Sequence, residues 1–126
     1  MTDSSFLDSS AWLSYFYANN KEIKELIDLN TILLTSVISL FEIKSKLIKD
    51  KIDNIKLQKS IDFIKNRSII INIDQKIAEN AVEFFIKNNL HTIDALIYYS
   101  ALKNNSLLIT LDNDFRNLDN VLILKD

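Results

Sequence analysis

Short apolar runs alternate with longer stretches of helical periodicity along the whole chain. The first run, Ser5-Phe6-Leu7, is closed by Asp8 and followed by Ala11, Trp12, Tyr15 and Phe16 at helical spacing. This predicts a strand, an acidic residue and a helix. Asn19-Asn20 stands where a glycine usually ends a helix, because Asn tolerates the left-handed conformation better than other side chains. Asn88-Asn89 and Asn104-Asn105 repeat the device. A second helix is predicted over residues 22–28, then a buried strand at Ile32-Leu33-Leu34-Thr35. Ser36 is placed to cap a long helix that carries Val37, Leu40, Phe41, Leu47 and Ile48 on one side.

The second half repeats the alternation. Residues 55–64 read as an amphipathic helix with apolar positions 55, 57, 61 and 64, and Ile69-Ile70-Ile71 as a third strand. Asp74 is expected to cap one helix running through Ala78, Ala81, Val82, Phe85 and Ile86, and Thr92 to cap another through Leu96, Ile97, Tyr99 and Leu102. Leu107 to Leu111, ended by Asp112, and Val121 to Leu124 complete a set of five strands. Strands this apolar, separated by helices, imply a three-layer α/β/α sandwich around a central, mostly parallel five-stranded sheet. Ligands in such sheets bind beyond the carboxyl ends of the strands, where the strand order reverses.

Composition removes most of the chemistry such a sheet can host. The 126 residues are expected to form one domain over 1–126, with a hydrophobic fraction of 48% that suits a globular core. Cysteine is absent, which excludes disulfides and thiolate metal sites and suits a reducing compartment. Glycine is also absent, which excludes the P-loop, the Rossmann fingerprint, the G-x-S-x-G elbow and the EF-hand loop. One histidine rules out H-E-x-x-H zinc sites and paired-histidine acid–base catalysis. Net charge is −2, yet residues 44–67 hold eight basic side chains against three acidic ones, a solvated basic face or a surface for phosphate or a partner. With no leader and no apolar run long enough to span a membrane, a soluble cytoplasmic protein is expected.

What remains abundant is oxygen. Asp8 and Asp112 follow buried strands, Asp94 lies in the first turn of a helix with an apolar stripe, and Glu42 sits between Phe41 and Ile43. Each has an ordinary explanation: Asp8 as a helix cap, Asp94 as a complement to a helix dipole, Asp112 as the start of a turn, Glu42 as the partner of Lys46. Their convergence on one sheet edge is harder to explain, since carboxylates ~6 Å apart repel by roughly 3 kcal/mol per pair at an effective dielectric near 20. A hard divalent cation, Mg²⁺ or Mn²⁺, relieves that repulsion, prefers oxygen ligands and generates a hydroxide nucleophile while neutralising phosphate charge. Phosphodiester hydrolysis is the chemistry that follows.

Four stretches together resemble a PIN domain: Phe6-Leu7-Asp8-Ser9-Ser10; Thr35-Ser36-Val37-Ile38 leading to Glu42; Thr92-Ile93-Asp94-Ala95-Leu96-Ile97; and Leu108-Ile109-Thr110-Leu111-Asp112-Asn113-Asp114-Phe115. They occur in the family's order and span essentially the whole chain. The resemblance implies a PIN fold, a Mg²⁺- or Mn²⁺-dependent endoribonuclease and the toxin half of a VapBC-type toxin–antitoxin pair. It also implies a homodimer and a small antitoxin that enters the acidic groove. Asp8, Glu42 and Asp94 then match the three main metal-organising acids, Asp112 the fourth and Asp114 an extra ligand. Ser10 resembles the hydroxyl that holds the first aspartate. The chain departs from the family in lacking the glycines often found after the helix acid and near the fourth strand.

Arg116, one turn past Asp112, is a candidate substrate contact through a phosphate, with Ser10 beside it in that group. His91 is expected to cap or pack, and Trp12, Tyr15 and Phe16 to serve the core or a dimer contact. Two rival readings are a non-catalytic interaction module that keeps the PIN fold and a nuclease that processes DNA.

Overall fold

The computed structural model describes residues 4–126. Among these, the strands are β1 (Ser4–Leu7), β2 (Ile32–Ser36), β3 (Ile69–Ile71), β4 (Leu107–Thr110) and β5 (Val121–Ile123). The helices are α1 (Ser9–Ala18), α2 (Lys21–Asp28), α3 (Val37–Lys49), α4 (Asn54–Arg67), α5 (Gln75–Asn80), α6 (Val82–Lys87) and α7 (Thr92–Lys103), with a 3-10 turn at Asn113–Phe115. The strands form one sheet in the order β3-β2-β1-β4-β5. Each neighbouring pair is parallel, so the sheet is wholly rather than mostly parallel.

The unbroken apolar runs of β1, β2 and β4 make physical sense because both sheet faces are covered. Successive side chains of a strand point to opposite faces. Leu7, Leu33 and Ile109 pack in one core with Trp12, Ile23, Ile43, Leu47, Ile61 and Ile64 of α1 to α4. Their neighbours Phe6, Leu34 and Leu108 pack in the other, with Ala95, Tyr98 and Ala101 of α7 and with Phe115. A buried Trp12 Nε1 donates to Thr35 Oγ1 at 3.0 Å, tying α1 to β2.

Asparagine does the work of the missing glycines. Asn19, Asn89, Asn105, Asn117 and Asn120 have φ between 51° and 68°, in the left-handed region. Asn20 adds a second device, its side chain capping α2 at the backbone of Glu22 and Ile23.

Three sequence expectations need correction. The helix beginning at Asp74 is interrupted: α5 and α6 are separate segments that bend at Ala81, which is buried and small enough to pivot there while both segments contact α7. On α3 the face turned to the core is Ser39, Ile43 and Leu47, while Phe41 is 70% exposed and Ile48 and Val37 are also open. The small Ser39 lets the helix approach the core, and this rotates Phe41 and Ile48 outward. Ile55 is likewise exposed, leaving Leu57, Ile61 and Ile64 as the buried stripe of α4.

The topology places a site. From β1 the chain moves outward through β2 and β3, then crosses back to β4 on the other side of β1. The order therefore reverses between β1 and β4, and the crevice beyond their carboxyl ends lies between Asp8 and the residues after Thr110.

Candidate active site

Asp8 follows β1 directly and is the N-cap of α1. Its Oδ1 accepts hydrogen bonds from Ser10 Oγ (2.7 Å) and the Ala11 amide (3.0 Å). Its Oδ2 accepts from Thr110 Oγ1 at the end of β4. Only 5% of Asp8 is exposed. Burial raises its carboxyl above the ordinary aspartate range, against the opposing pull of the Ser10, Thr110 and Ala11 hydrogen bonds, and the charge of Asp112 raises it further.

Two hydroxyls stitch β1 to β4. Ser10 Oγ, while donating to Asp8, accepts the Leu111 amide at 2.9 Å. Thr110 Oγ1 does the same for the Asp112 amide at 3.0 Å. Ser10 thereby holds Asp8 and ties it to the segment after β4. The hydroxyl is already engaged within the protein. Ser10→Ala is expected to lower divalent-cation affinity about 10- to 100-fold, as loss of a ligand-orienting partner does, with the fold retained. Calorimetric titration with Mn²⁺ checks this.

Asp112 lies two residues beyond β4 rather than directly after it, and caps the 3-10 turn by accepting the Asp114 amide at 2.9 Å. That turn brings Asp114 round to the same side. One carboxylate oxygen each of Asp94, Asp112 and Asp114 lie within 4.8 Å of one another. Asp94 sits half-buried in the first turn of α7. Its carboxyl is pushed up to about 6, by burial first, then by the charge of Asp112, with smaller contributions from Asp8 and Glu42 and an opposing one from His91.

Glu42 extends the group from α3. Burial raises its carboxyl, a hydrogen bond from Ser9 opposes this, and the charge of Asp8 adds to the rise. Lys46, its alternative partner in the sequence reading, pairs with Asp50 instead at 3.3 Å. The fold thus brings Asp94, Asp112 and Asp114 into one compact trio, while Asp8 and Glu42 stand close enough for their charges to act on Asp94.

The remaining residues lie at the rim. Arg116 Nη1 donates to the Asn113 carbonyl at 3.1 Å. His91 is 83% exposed, with Nε2 3.9 Å from Asp114 Oδ2. His91 holds the cap position of α7 but makes no side-chain capping bond, and Thr92, the expected cap, is the first helical residue. Ser9 and Thr110 are not among the candidates that the sequence singles out. Thr110 carried a readable signal, as the polar end of an apolar strand, whereas the contact of Ser9 with Glu42 depends on how α1 packs against α3.

The donor set suits a hard divalent ion. It consists of carboxylate oxygens alone, and three of its members have carboxyls raised by burial and by the charge of neighbouring acids, with His91 at the rim as a partial counterweight.

The sequence matches the PIN domain family over residues 5–121. The chain belongs to the PIN domain family. No curated protein sequence matches at a significant level. Among solved structures, this PIN domain is similar to a toxin–antitoxin complex from Klebsiella pneumoniae, with 23% identity, a TM-score of 0.76, and coverage of 94% of this chain and 95% of that one. It is also similar to VapBC2 from Rickettsia felis bound to a DNA fragment from its promoter, with 20% identity, a TM-score of 0.78 and coverage of 96% and 97%. A third similar structure is Mycobacterium tuberculosis VapC20, a sarcin–ricin loop cleaving toxin, with 16% identity, a TM-score of 0.73 and coverage of 96% and 98%. Among the described residues no helix is long and apolar enough to cross a membrane.

Proposed function

We propose that this PIN domain is a Mg²⁺- or Mn²⁺-dependent endoribonuclease, the toxin of a VapBC-type toxin–antitoxin pair acting in the cytoplasm. The observation that carries the reading is the gathering of acids, Asp94 with Asp112 and Asp114 and beside them Asp8 and Glu42, at the crevice where the strand order reverses. The toxin assignment is supported by the likeness to toxin–antitoxin complexes along almost the full length of both chains. An RNA substrate, a small antitoxin and a homodimer belong to the same reading.

Asp8, Asp94, Asp112 and Asp114 would hold the ion, with Asp8 kept in place by Ser10 and Thr110. The bound ion supplies Lewis acidity toward the phosphate and lowers the pKa of water. Glu42, whose carboxyl is raised by burial, orients the attacking water and accepts its proton. The water oxygen bonds to phosphorus as the bond to O3′ breaks. The products are a 5′-phosphate and a 3′-hydroxyl that takes a proton from solvent. Half-burial of Asp94 and Glu42 keeps bulk water from diluting these charges.

The test is cleavage of single-stranded RNA with and without added Mn²⁺. Cleavage is expected only with the ion and is abolished by excess chelator. Cleavage that persists in chelator, or none with any divalent ion by a folded protein, would contradict the proposal, the latter outcome favouring a non-catalytic module.

A further inference from the structure

A groove of about 710 Å³ opens beside the acidic centre, between the segment that joins α6 to α7 and the turn after β4. Asp114 is shared between the two, lying at the groove wall and within the carboxylate trio. The rest of the lining differs from the acidic centre. Arg116 and His91 are its basic groups, Asn88 and Asn117 offer amides that both donate and accept, and Phe85 forms an aromatic wall. No carboxylate other than Asp114 lines it.

These parts match the needs of one chemical class. A single-stranded nucleic acid presents phosphates to cations, base edges to amides and base faces to aromatic rings. Phe85 is 45% exposed on a short helix and forms a wall of this polar groove, while it also borders an apolar cleft with Ala81, Val82 and Leu96. The rim is also preformed. Asn89 and Asn117, on opposite sides, hold left-handed turns with φ of 54° and 68°, which lowers the ordering cost of binding. An acidic peptide is the poorer occupant, because it brings no base face to Phe85 and no base edge to Asn88 and Asn117.

We infer that this groove holds the single-stranded RNA flanking the scissile phosphate, with Arg116 on a backbone phosphate and Phe85 stacked on a base. The inference rests on the ribonuclease reading and specifies where its substrate lies. Arg116 and Phe85 are binding residues here, and the chemistry stays with the acids.

The experiment measures binding of a fluorescein-labelled, mixed-sequence RNA 12-mer to the full chain carrying Asp94→Asn, which prevents cleavage, by anisotropy across a salt series. Adding Phe85→Leu, which keeps apolar bulk but removes the ring, is expected to weaken binding about tenfold, and Phe85→Tyr to preserve it. Adding Arg116→Gln is expected to weaken binding and flatten the dependence of log affinity on log salt by about 0.7, the contribution of one phosphate contact on a single strand. A structural role would leave that slope unchanged. If the parent binds RNA and both Phe85→Leu and Arg116→Gln bind as the parent does, the groove assignment is overturned while the nuclease reading stands. It is overturned too if Phe85→Leu leaves affinity intact and instead changes the molar mass in solution, which would place Phe85 in a subunit contact. If the parent binds no RNA and the unmutated protein cleaves none, both readings fall.

Discussion

Asp94→Asn is expected to reduce metal-dependent RNA cleavage by about a thousandfold or more while raising the thermal stability of the metal-free protein. Asp94 belongs to the compact trio and feels the charges of Asp112, Asp8 and Glu42. Stabilisation of transition-state charge by a bound ion is worth several kcal/mol, and each 1.4 kcal/mol is about tenfold in rate. Asparagine keeps the shape of the side chain and one carbonyl oxygen, so the loss is one of charge. The same loss relieves repulsion by Asp112, Asp8 and Glu42, which is why the folded protein should gain. Turnover of a labelled RNA and a thermal melt of the same preparation check both halves. A variant that loses activity and stability together would point to misfolding, and one that keeps activity would remove Asp94 from the chemistry.

The pH dependence of the metal-free protein should run opposite to that of most proteins with paired surface acids. Asp8, Glu42 and Asp94 all have folded carboxyls above their ordinary range, and that of Asp94 reaches about 6. An unfolded aspartate titrates near about 4, so between these values the folded state binds more protons than the unfolded one. For Asp94 this stability is therefore fully present below about 4 and is lost as pH rises through about 6, and the raised carboxyls of Asp8 and Glu42 act in the same direction. The metal-free protein should melt higher near pH 5 than at pH 7.5. A bound divalent ion replaces the protons as the source of compensation, because ligation requires the deprotonated carboxylates. Millimolar Mn²⁺ should therefore raise the melting temperature strongly at pH 7.5 and scarcely at pH 4.5. Melting temperatures in a grid of pH and Mn²⁺ read the linkage. A shift from Mn²⁺ of equal size at both pH values would mean that it binds elsewhere.

Much of this architecture is legible before folding, for identifiable reasons. The central strands are readable because two-sided burial makes them continuous apolar runs, and the helix ends because Asn19, Asn89 and Asn105 occupy left-handed positions in a chain without glycine. The orientation of α3 is not readable, since its apolar residues surround much of the helix and only packing decides that Ser39 faces inward and Phe41 outward. The bend between α5 and α6 has no proline or glycine to announce it and depends on the burial of Ala81. The four acids could be singled out by their place after strands or on apolar stripes. Their convergence is expected from the strand ends and helix faces that carry them, whereas the compactness of the trio is not, because the 3-10 turn capped by Asp112 draws Asp114 in with Asp94. The bond of Ser10 to the Leu111 amide likewise joins residues 101 apart in sequence.

The claim on which the account rests is that folding gathers carboxylates from three separate parts of the chain around one divalent cation. Crystals of the protein grown at neutral pH with Mn²⁺, measured for anomalous scattering, test it most directly. The account predicts an anomalous peak bounded by Asp94 and Asp112, within reach of Asp8 and Asp114, that is lost in Asp94→Asn. A well-ordered site without such a peak at saturating Mn²⁺, or with the ion bound only at other surface acids, would contradict it.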